Sequence, residues 1–260
     1  MPEFSKLLVD SPAPRVLRLL INRPEKRNAI DFEVREQLIE ALSRLPAKSD
    51  CRAIVLGGAG GNLSAGGDLP SMVGLDEAHA RKRMQHIAQL CRLVYTSGLP
   101  VVTVMQGISA GACVGLALLG DRIVVGESTR ILFPFMKLGL VPDWGLLHTL
   151  PRRVGLGATR RLLVSGDPLS GVQAHALGLA DELAPDAETM STAVRCAVDL
   201  AALPCEAFAR MKRRLSHPSA SLHEELEREE DDQTNLLLSA DFQEGYAAFA
   251  DKRPPNFTGE

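Results

Sequence analysis

The chain has 260 residues, 45% of them hydrophobic, and a net charge of −3, enough for one substantial core or for one domain with an appendage. Acids and bases are interspersed and aromatics make up only 4%, so there is neither a basic face nor a set of stacking platforms for nucleic acid. No apolar run approaches the ~20 residues of a membrane span, and MPEFSKLLVDSPAPR lacks the basic head and apolar centre of a leader, so cytoplasm is the expected compartment.

Arg15 to Ile21 reads as a strand, followed by a polar loop, NRPEKRN, broken at Pro24. Asp31 is placed to cap a helix whose apolar face repeats at Val34, Leu38, Ile39, Leu42 and Leu45. A strand at 53 to 56 comes next. A helix from Glu77 to Thr96 follows, with Met84, Ile87, Leu90, Cys91 and Val94 inward, and Gly98 and Pro100 end it before a strand at 101 to 105. Strands alternating with helices predict α/β layering. Arg122 to Gly126 and Arg130 to Phe133 read as short strands, and Leu138 to Gly145, LGLVPDWG, as a loop. Helices are expected at Gly157 to Ser165, Ser170 to Leu177 and Ala187 to Ala202, then beyond Pro204 at Ala207 to Leu215, Leu222 to Leu238 and Phe242 to Ala250. Leu222, Leu226, Leu236, Leu237 and Leu238 are too few for a separate core, which predicts that this tail packs on the main domain or on another subunit. The five cysteines are odd in number and contain no CxxC pair, which points to reduced thiols rather than disulfides or a zinc site. The histidines have no metal-ligand spacing.

Two bends of very small residues stand out. Gly107, Ser109, Ala110, Gly111 and Ala112 leave the backbone almost bare between an apolar strand and an apolar helix beginning near Gly111. The first-turn amides of such a helix lack intrahelical partners and sit at its positive end, so an anion or a developing oxyanion could rest on the peptide of Ala112. Close packing of helix on sheet accounts for the same residues. Ala65, Gly66 and Gly67 form a second such bend before Asp68, and two bends could give one N–H each to a single carbonyl oxygen. Neither is a phosphate loop: no Lys-Ser/Thr follows, and Leu63 stands where the last glycine of GxGxxG should be.

The ordered pieces INRPEKRNAI (21 to 30), NLSAGGDL (62 to 69), QGISAGACVGLALLGD (106 to 121), LGLVPDWG (138 to 145), SGDPLSGVQAHALGLADEL (165 to 183) and EGYAAFADKRPPNF (244 to 257) resemble the crotonase, or enoyl-CoA hydratase/isomerase, superfamily over nearly the whole chain. The resemblance implies a crotonase-like ββα spiral core over residues 1–203. It also implies a C-terminal helical region over 204–260 for trimer contacts and site closure, and an acyl-CoA thioester as substrate. Coenzyme A then enters with the substrate, and no cofactor or metal is implied. The family's two oxyanion-hole donors fall on Gly67 and Ala112, the bends that the bare backbone had marked. Arg23, Lys26 and Arg27 fall near the CoA phosphates, and Ala65, Asp68 and Leu69 near the adenine. Phe249 and Lys252 resemble tail residues that close over CoA, possibly from a neighbouring subunit; helix packing explains Phe249 equally well. A homotrimer or dimer of trimers is implied, with no nucleic-acid or membrane partner.

The chain departs from the family's hydratases at both catalytic glutamates, whose positions hold Gly115 and Phe135; these, with Trp144, would border the acyl group. Neither residue can move a proton, and hydration needs a base on water and an acid at the α carbon. Asp143, in VPDWG, matches the acidic residue of some isomerases of the superfamily, where one carboxylate moves a proton from C2 to C4 of a 3-enoyl thioester. A turn or capping aspartate before a helix is the structural alternative, and a dehalogenase branch also places an Asp near this point. Apolar neighbours Val141, Pro142, Trp144 and Leu146 would raise its proton affinity if they surround it. His148, off Asp143's helical face at ~100° per residue, is read as structural. Isomerisation is the favoured reaction; hydration, thioester hydrolysis, ring chemistry and CoA-thioester binding without turnover remain as alternatives.

Overall fold

The computed structural model describes residues 4–44 and 50–259, so Leu45 lies outside the described residues. A six-stranded sheet runs in the order β1 (Leu7–Ala13), β2 (Val16–Ile21), β3 (Ala53–Gly58), β4 (Val101–Met105), β6 (Arg122–Gly126), β9 (Glu182–Ala184), parallel except for the β1–β2 hairpin. A second sheet joins β5 (Ile108–Ala110), β7 (Arg130–Leu132) and β8 (Leu169–Ser170). AIVLGG in β3 and VVTVM in β4 are buried at every position, as a parallel strand covered on both faces requires.

The helices supply the covers. Ala193, Ala197 and Ala201 of α6 (Thr189–Ala201) pack on one face against Val55, Val102, Val104 and Val124. The other face meets a larger core that includes Val34 and Leu38 of α1 (Phe32–Ser43), Ile87, Leu90 and Val94 of α2 (Glu77–Tyr95), Leu116 of α3 (Ala112–Ala117) and Leu146 and Leu150 of α4 (Leu146–Ser165). Asp31 caps α1 as expected, its carboxylate accepting from Val34 N. The α/β layering is therefore as expected, with two sheets rather than one.

Three local expectations change. Met84 is 45% exposed instead of inward, because the buried stripe of α2 begins only at Ile87. Helix α4 starts at Leu146, eleven residues before the expected start, and carries Pro151; the chain does break at Gly155 (φ 76°), but helix continues on both sides of the kink. Strands β1, β5, β8 and β9 were not anticipated: LLVDSPA is mostly solvent-facing and lacks alternation, and the other three are two or three residues long.

Beyond Pro204, α7 (Cys205–Ser216) is tied to the core through Lys212, which is 5% exposed. Its ammonium donates to Asp121 Oδ2 at 2.6 Å and to the carbonyl of Leu99 at 3.3 Å, while Asp121 also accepts from Val101 N at 2.8 Å. Helices α8 (Leu222–Leu237) and α9 (Ala240–Asp251) follow, and they leave Leu238 83% and Phe249 85% exposed. Lys212→Met removes one charge of a buried pair and strands the other, so it should cost about 3 kcal/mol in urea unfolding. Adding Asp121→Asn to that variant should recover part of the loss; equal stability of Lys212→Met and wild type would contradict this anchoring.

Candidate active site

The two glycine bends are stitched together backbone to backbone. Ser64 and Ser109 form a parallel bridge in which Ser64 N donates to Ile108 O at 3.2 Å and Ala110 N donates to Ser64 O at 3.0 Å. The thiol of Cys113 adds a bond to Ser64 O at 3.0 Å, and burial pushes its pKa up to about 12, so it stays a thiol at neutral pH. All five cysteines are free. Gly66 (φ 98°) makes the approach possible: a Cβ there would lie 2.6 Å from Ala110 O and 3.7 Å from Ala112 N.

This stitching uses up most of the amides. Gly66 N donates to Ser64 Oγ, Asp68 N to Ile30 O and Gly111 N to Leu132 O. Gly67 N and Ala112 N donate to no acceptor among the described residues, and Ala112, as the first residue of α3, has no intrahelical one. Two unsatisfied amides thus stand on adjacent bends. Phe135, 5% exposed, closes against Gly111, while Met72 and the guanidinium of Arg83 face Gly67.

Asp143 sits on the turn before α4. Trp144 (φ 54°) and Gly145 (φ 72°) are both left-handed, and Gly145, not Asp143, is the N-cap of the helix. Asp143 Oδ1 is buried without a partner among the described residues, which removes the capping role. Burial raises the pKa of Asp143, opposed by its own backbone amide and by the nearby charge of Arg83. Pro142, Trp144 and Leu146 are buried, whereas Val141 is 70% exposed and shields nothing. Cys91, pushed up to about 12 chiefly by burial, also feels the charge of Asp143.

Gly115 lies directly beneath this turn. A Cβ there would come within 2.6 Å of Trp144 Cβ and 3.0 Å of Trp144 O. The missing side chain at 115 is therefore what admits the left-handed Trp144, and a glutamate at that position and the present 143–144 turn exclude one another.

The residues expected to meet CoA divide into free and committed groups. Lys26 is exposed and makes no ion pair among the described residues. Arg23 is committed: its Nη1 donates to Ala29 O at 2.7 Å and pairs with Asp31 at 3.1 Å, with Asp68 Oδ2 at 3.9 Å. Ala65 and Leu69 are exposed and Asp68 is half-buried. Ala65 N donates to Arg27 O, which fixes the basic loop beside the first bend. Phe249 lies on α9 and the exposed Lys252 caps its C-terminus, and Phe249 borders an apolar groove with Leu236, Phe242, Tyr246 and Phe257. His148 is bonded through Nε2 to the Tyr95 hydroxyl at 3.1 Å, in keeping with a structural role.

Two contributors were not singled out in the sequence. Asn28, fully buried at φ 57°, donates to the carbonyls of Ala59 and Asn62 at 2.8 Å and accepts from Arg23 N, locking the basic loop to the bend. Its signal was an Asn inside a polar loop, the residue type that best tolerates left-handed backbone. Arg83 had no signal beyond a charged helical stretch.

The enoyl-CoA hydratase/isomerase family model matches residues 13–260. The chain is 34% identical to 1,2-epoxyphenylacetyl-CoA isomerase of Escherichia coli (strain K12) over 94% of this chain and 95% of that protein. It is 35% identical to a protein of Rhodobacter capsulatus named a probable enoyl-CoA hydratase, over 93% of each. The crystal structure of enoyl-CoA hydratase from Bacillus anthracis superposes with a TM-score of 0.92 at 27% identity, covering 98% of this chain and 100% of that one. The chain belongs to the enoyl-CoA hydratase/isomerase, or crotonase, superfamily. Its fold is the α/β crotonase fold with C-terminal helices, and the family defines it as an acyl-CoA enzyme. Among the described residues no helix is long and apolar enough to cross a membrane.

Restoring a glutamate by Gly115→Glu should not create a hydratase. The new Cβ meets Trp144, so thermal unfolding should move to lower temperature with no gain in 2-enoyl-CoA hydration; a stable variant that hydrates would show that the turn yields readily.

Proposed function

We propose that the chain is an acyl-CoA isomerase that shifts a double bond from Δ3 to Δ2 of an enoyl thioester, or carries out a closely related isomerisation. The thioester oxygen takes hydrogen bonds from Gly67 and Ala112, whose amides have no other acceptor among the described residues. Donors held in place before reaction stabilise the enolate oxygen without reorganising as charge develops. Asp143 removes the proton from C2, the electron pair passes into the enolate, and the protonated carboxyl returns the same proton to C4. One base is sufficient.

The observation that carries this reading is the buried, unpartnered Oδ1 of Asp143, together with the closed ground at Gly115. A base is present, and neither hydratase carboxylate is. The relatives are named for both isomerisation and hydration at nearly equal identity, so the preference rests on the site residues. In the same reading Phe135 and Trp144 border the acyl group, and Lys26 is the main phosphate contact, supported by Arg23. Ala65, Asp68 and Leu69 take the adenine. Residues 204–260 form a helical region that supplies trimer contacts and brings Phe249 and Lys252 over CoA, in a cytoplasmic homotrimer or dimer of trimers.

Purified protein should convert 3-enoyl-CoA to 2-enoyl-CoA, and fast hydration of 2-enoyl-CoA without isomerisation would overturn the reading. Asp143→Asn should lower kcat by ~10²-fold or more. Because burial raises the pKa of Asp143, the base is lost at a pH above the ordinary aspartate range of ~3.9, so the acid limb of kcat/KM should lie above that value. The same shift means that ionising Asp143 costs folded stability as pH rises through its folded pKa. Asp143→Asn should therefore raise the unfolding temperature at neutral pH while abolishing turnover. A variant that is both active and no more stable would remove Asp143 from the mechanism.

A further inference from the structure

A group of cations stands one side chain away from Gly67. The guanidinium of Arg83, on α2, approaches so closely that its Nη2 would lie 3.4 Å from a Cβ at Gly67. Arg83 makes no ion pair within 4.0 Å among the described residues, although Asp143 and Asp68 are near enough to act on it. Arg35, on α1, is 2% exposed, and its Nη1 is buried with no partner among the described residues. Its Nε donates to His86 Nδ1 at 3.4 Å, a bond that only a neutral imidazole can accept, and the His86 ring stacks on Phe32 at 4.8 Å.

Arg35 and Arg83 line one cleft of about 250 Å³ between α1 and α2, along with Lys82, Phe32, Ser71 and Leu75. No carboxylate lines it. Burial and the like charge of Arg83 bring Arg35 down to about 10, still cationic at neutral pH. A desolvated guanidinium with an unused N–H beside a second guanidinium is costly when empty and is compensated by an anion. A wholly apolar acyl chain would leave the buried Nη1 of Arg35 without a partner. The planar forks of two arginines fit a carboxylate, and the apolar edges of Phe32 and Leu75 fit the methylenes leading to it.

We propose that this cleft receives the distal carboxylate of a dicarboxylic acyl-CoA, so that the preferred substrates carry a second acidic end. This rests on the reading that the thioester oxygen binds at Gly67, beside which Arg83 opens into the cleft. The CoA phosphates are a less fitting occupant, since the exposed Lys26 stands on the basic loop 23–27 and not in this cleft.

The test is calorimetric titration of the full-length protein with matched saturated thioesters: succinyl-CoA against butyryl-CoA, adipyl-CoA against hexanoyl-CoA and suberyl-CoA against octanoyl-CoA. In at least one pair the diacid should bind about 10-fold tighter or more, the gain of a charge-assisted hydrogen bond in a desolvated site. Arg35→Gln and Arg83→Gln should each shrink that ratio severalfold. Free CoA and inorganic phosphate, titrated alongside, separate loss of the acyl anion from loss of the whole site. Equal affinity within every pair overturns the proposal, as does a variant that weakens both partners alike or a cleft that answers only to phosphate. A clear diacid preference without double-bond migration in the unsaturated analogues upholds the cleft and overturns the isomerase reading instead.

Discussion

The site depends on how closely two backbones approach at Gly66 and Ala110. Where a Cβ would be 2.6 Å from a carbonyl oxygen, only glycine is admitted, and the conformation it adopts, φ 98°, is one that other residues rarely hold. The approach lets Ser64 and Ser109 pair, brings Cys113 against Ser64 and consumes the neighbouring amides in protein–protein bonds. Among the amides it leaves without an acceptor are those of Gly67 and Ala112. Unsatisfied N–H groups near a buried core are uncommon, and two on adjacent bends are what the proposed oxyanion hole uses.

A second exclusion bears on the proposed chemistry. Gly115 and the left-handed Trp144 occupy one another's space, so the turn that delivers Asp143 replaces a side chain at 115. The carboxylate then arrives with one oxygen buried and unbonded, the condition under which a carboxylate becomes a stronger base. The charge of Arg83 acts against that rise. The proposed reactive centre is thus one partly buried acid, one half-buried cation and two amides.

Much of this was legible in the sequence, and what was not has definite physical causes. The bends at 65–67 and 111–112 could be read because runs of Gly, Ala and Ser advertise bare backbone, and Asp31 could be read as a cap because caps are local. Asp143 came from its place in VPDWG rather than from any periodicity. Arg35 and Arg83 escaped because helical spacing marks apolar faces, whereas a charged residue looks the same in sequence whether it faces solvent or a cleft. Met84 was placed inward by the same rule, yet the first half of α2 borders that cleft and buries no stripe. The helix expected from Gly157 starts at Leu146 instead, where packing of Leu146, Leu150 and Leu162 carries α4 through Pro151 and across the kink at Gly155.

Polarisation of a thioester by Gly67 and Ala112 is what the proposed chemistry requires, and vibrational spectroscopy reads it directly. With a ¹³C-labelled acyl carbonyl in a saturated, unreactive acyl-CoA, the bound C=O stretch should move to lower frequency than in water. Asp143→Asn should leave that displacement in place, since the carboxylate acts on carbon and not on the oxygen. A bound carbonyl that absorbs at its aqueous frequency would mean that the two amides do not meet on it.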